Sequence, residues 1–398
     1  MKTLFGILVA LAAIPTLAAA HCKPVATSGA NAPNQNPAFE GQTRACEVKS
    51  DVAFEVSVIA KGLVHPWAVE PMPNGDFLVT ERPGRMRVVS ARGKVGEPLA
   101  GLPKVDAGGQ GGLLDVALSP SFATDRTIFW SYSEPRQGGN ATSVARGVLS
   151  QDSRRLEQVS VIFRALPVYD GDKHFGSRLA FGPDGMLYVT LGDRSDMPMR
   201  PQAQQLDSHM GKTLRIKPDG GAAEGNPFIG QANALPEIWS LGHRNIQAAA
   251  FDSRGRYWAI EHGTRGGDEL NLVEKGKNYG WPNVAYGIEY SGRPIPGTTT
   301  KPGTEQPVYY WDPVIAPSGA QFYDGDAFAA WKGSLFVGGL KVKSLVRLVI
   351  EGNRVKGEEW LLTDRGQRIR DVRQGRDGAL YVVTDEDNGE LWRIAPRR

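Results

Sequence analysis

Several things are scarce in this chain, and each scarcity excludes something. Cysteine occurs twice in 398 residues, at Cys22 and Cys46, so no Cys cluster is available for a metal. Charge of one sign is missing. The 46 Lys and Arg nearly balance 43 Asp and Glu, and a net +3 leaves no electrostatic footprint for nucleic acid or an anionic membrane. Beyond the N-terminus no apolar window is long enough to span a bilayer, so no membrane span is expected. Long amphipathic helical patterns are rare as well. Familiar catalytic signatures are also absent: there is no Gly-x-Ser-x-Gly elbow and no His-Glu-x-x-His. "SHMGKT" (208–213) ends like a phosphate-binding loop, but Leu206 stands where that loop needs Gly. "GGQGGLLD" has no βαβ unit around it, which argues against a dinucleotide site.

What is present points to a globular protein. Hydrophobic residues make up 41% and charged residues 22%, ample for one large domain or two to three small ones. The 48 Gly and 27 Pro imply frequent turns without a low-complexity period. The N-terminus has Lys2, an apolar stretch from Leu4 to Leu17, and Ala18-Ala19-Ala20. This reads as a signal peptide over residues 1–20 and places the mature protein in the periplasm or outside the cell. A membrane anchor is the alternative, but the apolar run is short. Lipid attachment at Cys22 is disfavoured by the large His21 before it. Residues 21–50, rich in Ala, Asn, Pro, Gln and Ser, read as an extended leader. Within it Cys22 and Cys46 either form one disulfide, worth roughly 3 kcal/mol in a chain-entropy model, or stay two free thiols.

From residue 51 to 398 one pattern recurs. A turn leads into a short strand in "NGDFLVTERPGRMRVV" (from Asn74), "TDRTIFWSYSE" (from Thr124) and "DGMLYVTLGD" (from Asp184). It returns in "RGRYWAIEHG" (from Arg254), "KGSLFVGGLKVKSLVRLVI" (from Lys332) and "DGALYVVTDEDNGELWRIA" (from Asp377). The spacing is roughly 40–80 residues, against about 40–50 for a propeller repeat with insertions in its loops. The expected fold is therefore all-β: a six-bladed β-propeller with four-stranded antiparallel blades. A tandem of β-sandwiches would not explain six copies.

In such a ring, loops from every blade meet at one mouth. The polar candidates lie in loops beside the strands: Gln110, His174, Arg244, Asn245, Lys341, Arg368 and Arg370. Each alone is ordinary, because an isolated Arg is usually solvated and an isolated His usually sits hydrogen-bonded in a loop. Together they place four cations beside one imidazole, which suits a small polyanionic ligand. Asp268, Glu269 and Glu289 sit among Gly and Asn, a donor set a hard cation such as calcium accepts.

The motifs "GHRN", "EHGTRGGDELN", "KGKNYGWP", "APSG" and "DRGQRIRDVRQGRDGALYVVTDE" complete the picture. Through them the chain, from about Val64 to Ile394, resembles the soluble sugar dehydrogenases that depend on pyrroloquinoline quinone (PQQ), in particular their aldose sugar dehydrogenase branch. The resemblance implies a six-bladed propeller that oxidises an aldose at C1 to the lactone and passes electrons to an external acceptor. It implies PQQ among Gln110, Arg244, Asn245, Lys341, Arg368 and Arg370, with His174 as general base. Arg244 would then stabilise charge developing on the quinone oxygen. It also implies one calcium on the carbonyls of Gly263 and Thr264. A second would use Glu269 and the Tyr279 carbonyl, with weaker matches at Ala285, Gly287, Glu289 and Glu305. Lys173 stands where glucose-preferring relatives carry an acid, which favours a broad aldose range. Thr264 replaces a proline. Two other readings compete. A calcium-dependent propeller lactonase or esterase would need carboxylates and Asn at the channel centre. A non-catalytic ligand-binding propeller leaves the converging cations unexplained.

Overall fold

The computed structural model describes residues 22–397. It is nearly all-β, with one four-residue α-helix, Phe122–Asp125, and short 3-10 turns among the described residues. Six four-stranded antiparallel sheets follow one another along the chain, and they form a six-bladed β-propeller. Blade 1 runs Pro66–Pro71, Phe77–Glu81, Arg85–Val89 and Val95–Pro98, from the innermost strand outward. The innermost strands of the next four blades are Leu113–Leu118, Leu179–Phe181, Ile246–Phe251 and Pro317–Phe322. The sixth blade begins at Ile369–Gln374 and is completed from the other end of the chain. Phe54–Leu63 pairs antiparallel with Gly389–Pro396, bringing Phe54 opposite Pro396. Each of the six sequence copies supplies the second strand of its blade: Phe77–Glu81, Thr127–Arg136, Leu187–Thr190, Tyr257–Glu261, Leu335–Gly339 and Leu380–Thr384.

The core is split into six apolar interfaces, one between each pair of neighbouring blades. Burial on both faces explains why these strands read as nearly continuous runs of Val, Leu, Ile and aromatics. Near the axis, buried hydroxyls join blade to blade. Thr80 accepts from the Ala68 N–H and donates to the Leu114 carbonyl of the next blade at 2.6 Å. Ser131 links the Asp115 N–H to the Ser177 carbonyl, and Thr190 links the Arg178 N–H to the Ile246 carbonyl. Ser318 donates to Ile369 O at 2.7 Å.

The channel centre is filled by charge. Arg178 meets Asp115 at 2.7 Å and Asp371 at 3.3 Å, while Arg373 meets Asp371 at 2.9 Å and Glu70 at 3.3 Å. Burial raises the Glu70 carboxyl to about 7 against the pull of Arg373.

Residues 22–50 form a strap against blades 4 and 5. Cys22 and Cys46 are joined in a disulfide. Asp312 accepts the backbone N–H groups of Asn31 and Ala32, and Gln35 brackets the backbone of Gly287. The disulfide fits an oxidising compartment. The expected signal peptide, residues 1–20, lies outside the described residues. No helix among the described residues is long and apolar enough to cross a membrane.

Candidate active site

Loops from all six blades meet in a cavity of about 510 Å³. Its wall includes Trp67 and Arg82 of blade 1, Gln110 before blade 2, His174 before blade 3, and Arg244, Asn245, Gln247 and His262 of blade 4. Ala316 and Leu340 come from blade 5, and Arg368, Arg370 and Asp385 from blade 6. His65, Tyr290 and Glu386 complete the rim.

His174 is buried, and its backbone sits in the left-handed region at φ 49°, with Gly176 and Ser177 also at positive φ. Strained backbone of this kind persists only where the surroundings hold it. Here the His174 N–H donates to Gln110 Oε1 at 2.9 Å, and the Gly176 N–H donates to Asn245 Oδ1 at 3.1 Å. Gly192 is required beneath them, because a Cβ there would lie 2.1 Å from the His174 carbonyl. His174 Nδ1 lies 2.7 Å from Asp193 Oδ1. A carboxylate only accepts, so Nδ1 carries the proton and Nε2 keeps its lone pair. Asp193 is itself held by the Ser195 N–H at 2.7 Å and the Trp281 indole N–H at 2.8 Å. Burial and then the Arg244 charge push the imidazole below its usual 6.5, against the raising effect of Asp193. Burial would raise the Asp193 carboxyl, but its bond to His174 and the nearby charges hold it below the usual carboxylate range.

The cations are short of partners. Arg244 donates through Nη1 to the carbonyls of His262 and Gly263, yet its Nε and Nη2 are buried with no partner. Arg370 reaches Gln247 Oε1 at 3.1 Å and Asp385 at 2.6 Å, and its Nε is likewise unpartnered. Arg368 donates to the same Asp385 oxygen at 2.9 Å. Burial would raise Asp385, but Arg370 and Arg368 hold it well below the usual range. Lys341 is not brought to the wall. Its side chain is exposed, and Leu340 lines the cavity in its place.

The expected metal ligands divide. Glu269 borders a small space of about 10 Å³ that Glu261, Thr264, Tyr279 and Ala285 also line, room for one water-sized occupant. Burial, then the Glu261 charge, raise the Glu269 carboxyl well above its usual value. Thr264 Oγ1 and Asn271 Oδ1, the latter on a side chain that also bonds Glu269, are buried without partners. Two carboxylates with no cation between them, beside spare oxygens, match a hard cation. The Gly263 carbonyl is taken by Arg244. Glu289 does not join this set: Arg200 grips its carboxylate at 2.5 and 3.2 Å. Glu305 pairs with exposed Lys277 at 2.9 Å. Asp268, with burial raising it to about 7, accepts the N–H groups of Gly263 and Ala316. Among the described residues no three His, Cys, Asp or Glu converge as a metal cage.

The sequence reading missed Asp193, Trp281, Asp385, His262 and Arg82. One signal was there. The strand-end acids Glu81, Asp193, Glu261 and Asp385 recur at or just past the second strand of four blades. Each holds a cation or imidazole: Arg85 and Arg87 on Glu81, His243 on Glu261, His174 on Asp193, and Arg368 and Arg370 on Asp385.

A ring of six blades with an imidazole and underused cations at one mouth can seat a small anionic ligand beside a proton acceptor. Residues 63–393 match the glucose/sorbosone dehydrogenase family, and the chain belongs to it. Aldose sugar dehydrogenase YliI of Escherichia coli is 46% identical over 347 residues, covering 86% of this chain and 93% of that protein. The crystal structure of the soluble aldose sugar dehydrogenase from Escherichia coli in the apo form superposes with a TM-score of 0.83 at 45% identity, over 86% of this chain and all (100%) of that one. The PQQ-bound aldose sugar dehydrogenase from Streptomyces coelicolor superposes with a TM-score of 0.70 at 30% identity, over 86% of this chain and 99% of that one.

Proposed function

We propose that this oxidoreductase oxidises aldose sugars at C1 to the lactone with PQQ as cofactor, and passes the electrons to an acceptor outside the chain. One observation carries this reading most: Arg244 Nε and Nη2 and Arg370 Nε are buried without partners, in side chains that line the cavity holding an aspartate-held imidazole. Leaving three charged donors unpaired costs stability unless a ligand completes them. When bound among Gln110, Arg244, Asn245, Arg368 and Arg370, with Lys341 on the loop beside, PQQ would supply the ortho-quinone that accepts hydride. His174 takes the C1 hydroxyl proton at Nε2, and Asp193 keeps the ring oriented and stabilises the cation that forms. Arg244 directs its free N–H groups at negative charge developing in the cavity. Glu269 and the Tyr279 carbonyl would hold one calcium, and the carbonyls of Gly263 and Thr264 a second once Arg244 releases Gly263. The paired state of Asp115 and Asp371 at the channel centre disfavours a lactonase, which would need free carboxylates there. The disulfide supports a periplasmic or secreted protein.

The test is aldose oxidation by the purified protein with an artificial electron acceptor, with and without PQQ and calcium. Activity that needs both supports the reading. No PQQ binding at all would overturn it.

A further inference from the structure

Arg200 takes no part in the chemistry above, yet it touches both residues that hold Asp193 from behind, Ser195 and Trp281. It opens the 3-10 turn Arg200–Gln204 and is only 9% exposed. Its Nε donates to the Ser195 carbonyl at 3.2 Å. Its guanidinium carbon lies 5.3 Å from the Trp281 ring centroid, as does that of Arg244. Ser195 and Trp281 are the residues whose N–H groups grip the Asp193 carboxylate. A guanidinium over the face of a buried indole is attracted to the ring and favours one orientation of it.

Both ends of this arginine are anchored. Behind it, the buried Lys212 ammonium donates to the carbonyls of Gln202, Ala203 and Met210 at 2.8, 3.0 and 2.7 Å, which pins the 3-10 turn. This is the lysine of "SHMGKT", and its hydrogen bonds all go to backbone carbonyls. In front, the two-point pair with Glu289 fixes the residue before Tyr290, a cavity-rim side chain that is 65% exposed. A fork-to-carboxylate pair sets direction as well as distance, which a lysine cannot reproduce.

We propose that Arg200 is a positioning residue for His174. Pinned by Lys212, it braces Trp281 and Ser195, the two supports of Asp193, and through Glu289 it links them to the loop carrying Tyr290 at the cavity mouth. The inference rests on His174 being the base.

The experiment compares Arg200→Lys, Arg200→Met and Glu289→Gln with the parent protein. The ring nitrogens of His174 are followed by ¹⁵N NMR in the ligand-free protein, and kcat and KM are measured after reconstitution with PQQ. The parent shows one neutral tautomer with its proton on Nδ1. Both Arg200 variants are expected to mix tautomers and to lower kcat about tenfold with KM changed less than about twofold, a fraction of the 10²-fold cost of a 1 Å misplacement. Glu289→Gln shows the same change to a smaller degree, and it remains informative if Arg200→Met fails to fold. A parental ring signature and kcat in Arg200→Lys would reduce the residue to a bare charge and overturn the proposal. An unchanged signature in Glu289→Gln would overturn the link to the mouth. If the parent oxidises no aldose with PQQ, the proposed function fails, while the ring signature still decides whether Arg200 sets the imidazole.

Discussion

The channel centre and the cavity mouth are both crowded with charge, and they treat it in opposite ways. At the centre, Arg178 and Arg373 are matched against Asp115, Asp371 and Glu70. At the mouth, Arg244 and Arg370 keep nitrogens with no partner, and one carboxylate, Asp385, serves both Arg368 and Arg370. The first arrangement leaves one guanidinium nitrogen, Arg178 Nη2, without a partner against three at the mouth, and it holds the ring. The second is complete only with something else in it. Counting charged residues would not tell these regions apart, but counting their unmet hydrogen bonds does.

That contrast can be broken from either side. The largest effect is expected at the mouth. His174→Ala should lower kcat by about 10²–10⁴-fold in steady-state assays, while PQQ affinity by titration stays near the parent value, because the backbone N–H that meets Gln110 survives. At the centre, Asp115→Ala removes the 2.7 Å partner of buried Arg178, leaving it only Asp371 at 3.3 Å, and should lower stability by about 3 kcal/mol in denaturant unfolding. Arg370→Met should do the reverse of this. It should weaken PQQ binding about 10–100-fold, since a lost charged hydrogen bond costs about 1.5–3 kcal/mol, with little change in unfolding. Thr190→Val sits between the regions. It frees the Arg178 N–H and the Ile246 carbonyl and should cost about 1–3 kcal/mol of stability without altering PQQ affinity. The subtlest test is pH. His174 must be neutral to accept a proton, and burial with Arg244 holds its ring below 6.5. A profile of kcat/KM should therefore be flat above pH 6.5 and fall only below it. In Arg244→Met, with that repulsion gone, the fall should begin at higher pH.

The same contrast explains what could be read from the chain alone. The six strands were legible because each lies a few residues from its own turn, as in "DGMLYVTLGD" and "DGALYVVTDE". His174, Arg244, Arg368 and Arg370 were legible as a group, because a ring forces such loops together. Their partners were not. Asp193 stands 88 residues from Trp281, and Arg200 stands 89 from Glu289, so the packing of blade 3 beside blade 4 decides those meetings. That is also why Glu289 looked like a metal ligand: its loop is acidic and rich in glycine, and nothing nearby in sequence announces Arg200. Lys341 stands one residue off the wall, where Leu340 sits instead. The strand-end acids were visible but unread, because a repeated Asp or Glu passes for a turn residue until its cation is known.

Five blades are each finished by one contiguous stretch of chain, but the pairing of Phe54–Leu63 with Gly389–Pro396 leaves the sixth, and with it the ring, open until both ends are present. A strand laid down near the start waits for one made at the end, and every blade contributes a wall to the same cavity. Contacts this distant in sequence form late, because the whole intervening loop must be closed first. The site is therefore not a module that could be cut out or built up stepwise. A chain that lost Phe54–Leu63 or Gly389–Pro396 would leave the sixth blade short of an edge strand and the ring without its closing pair.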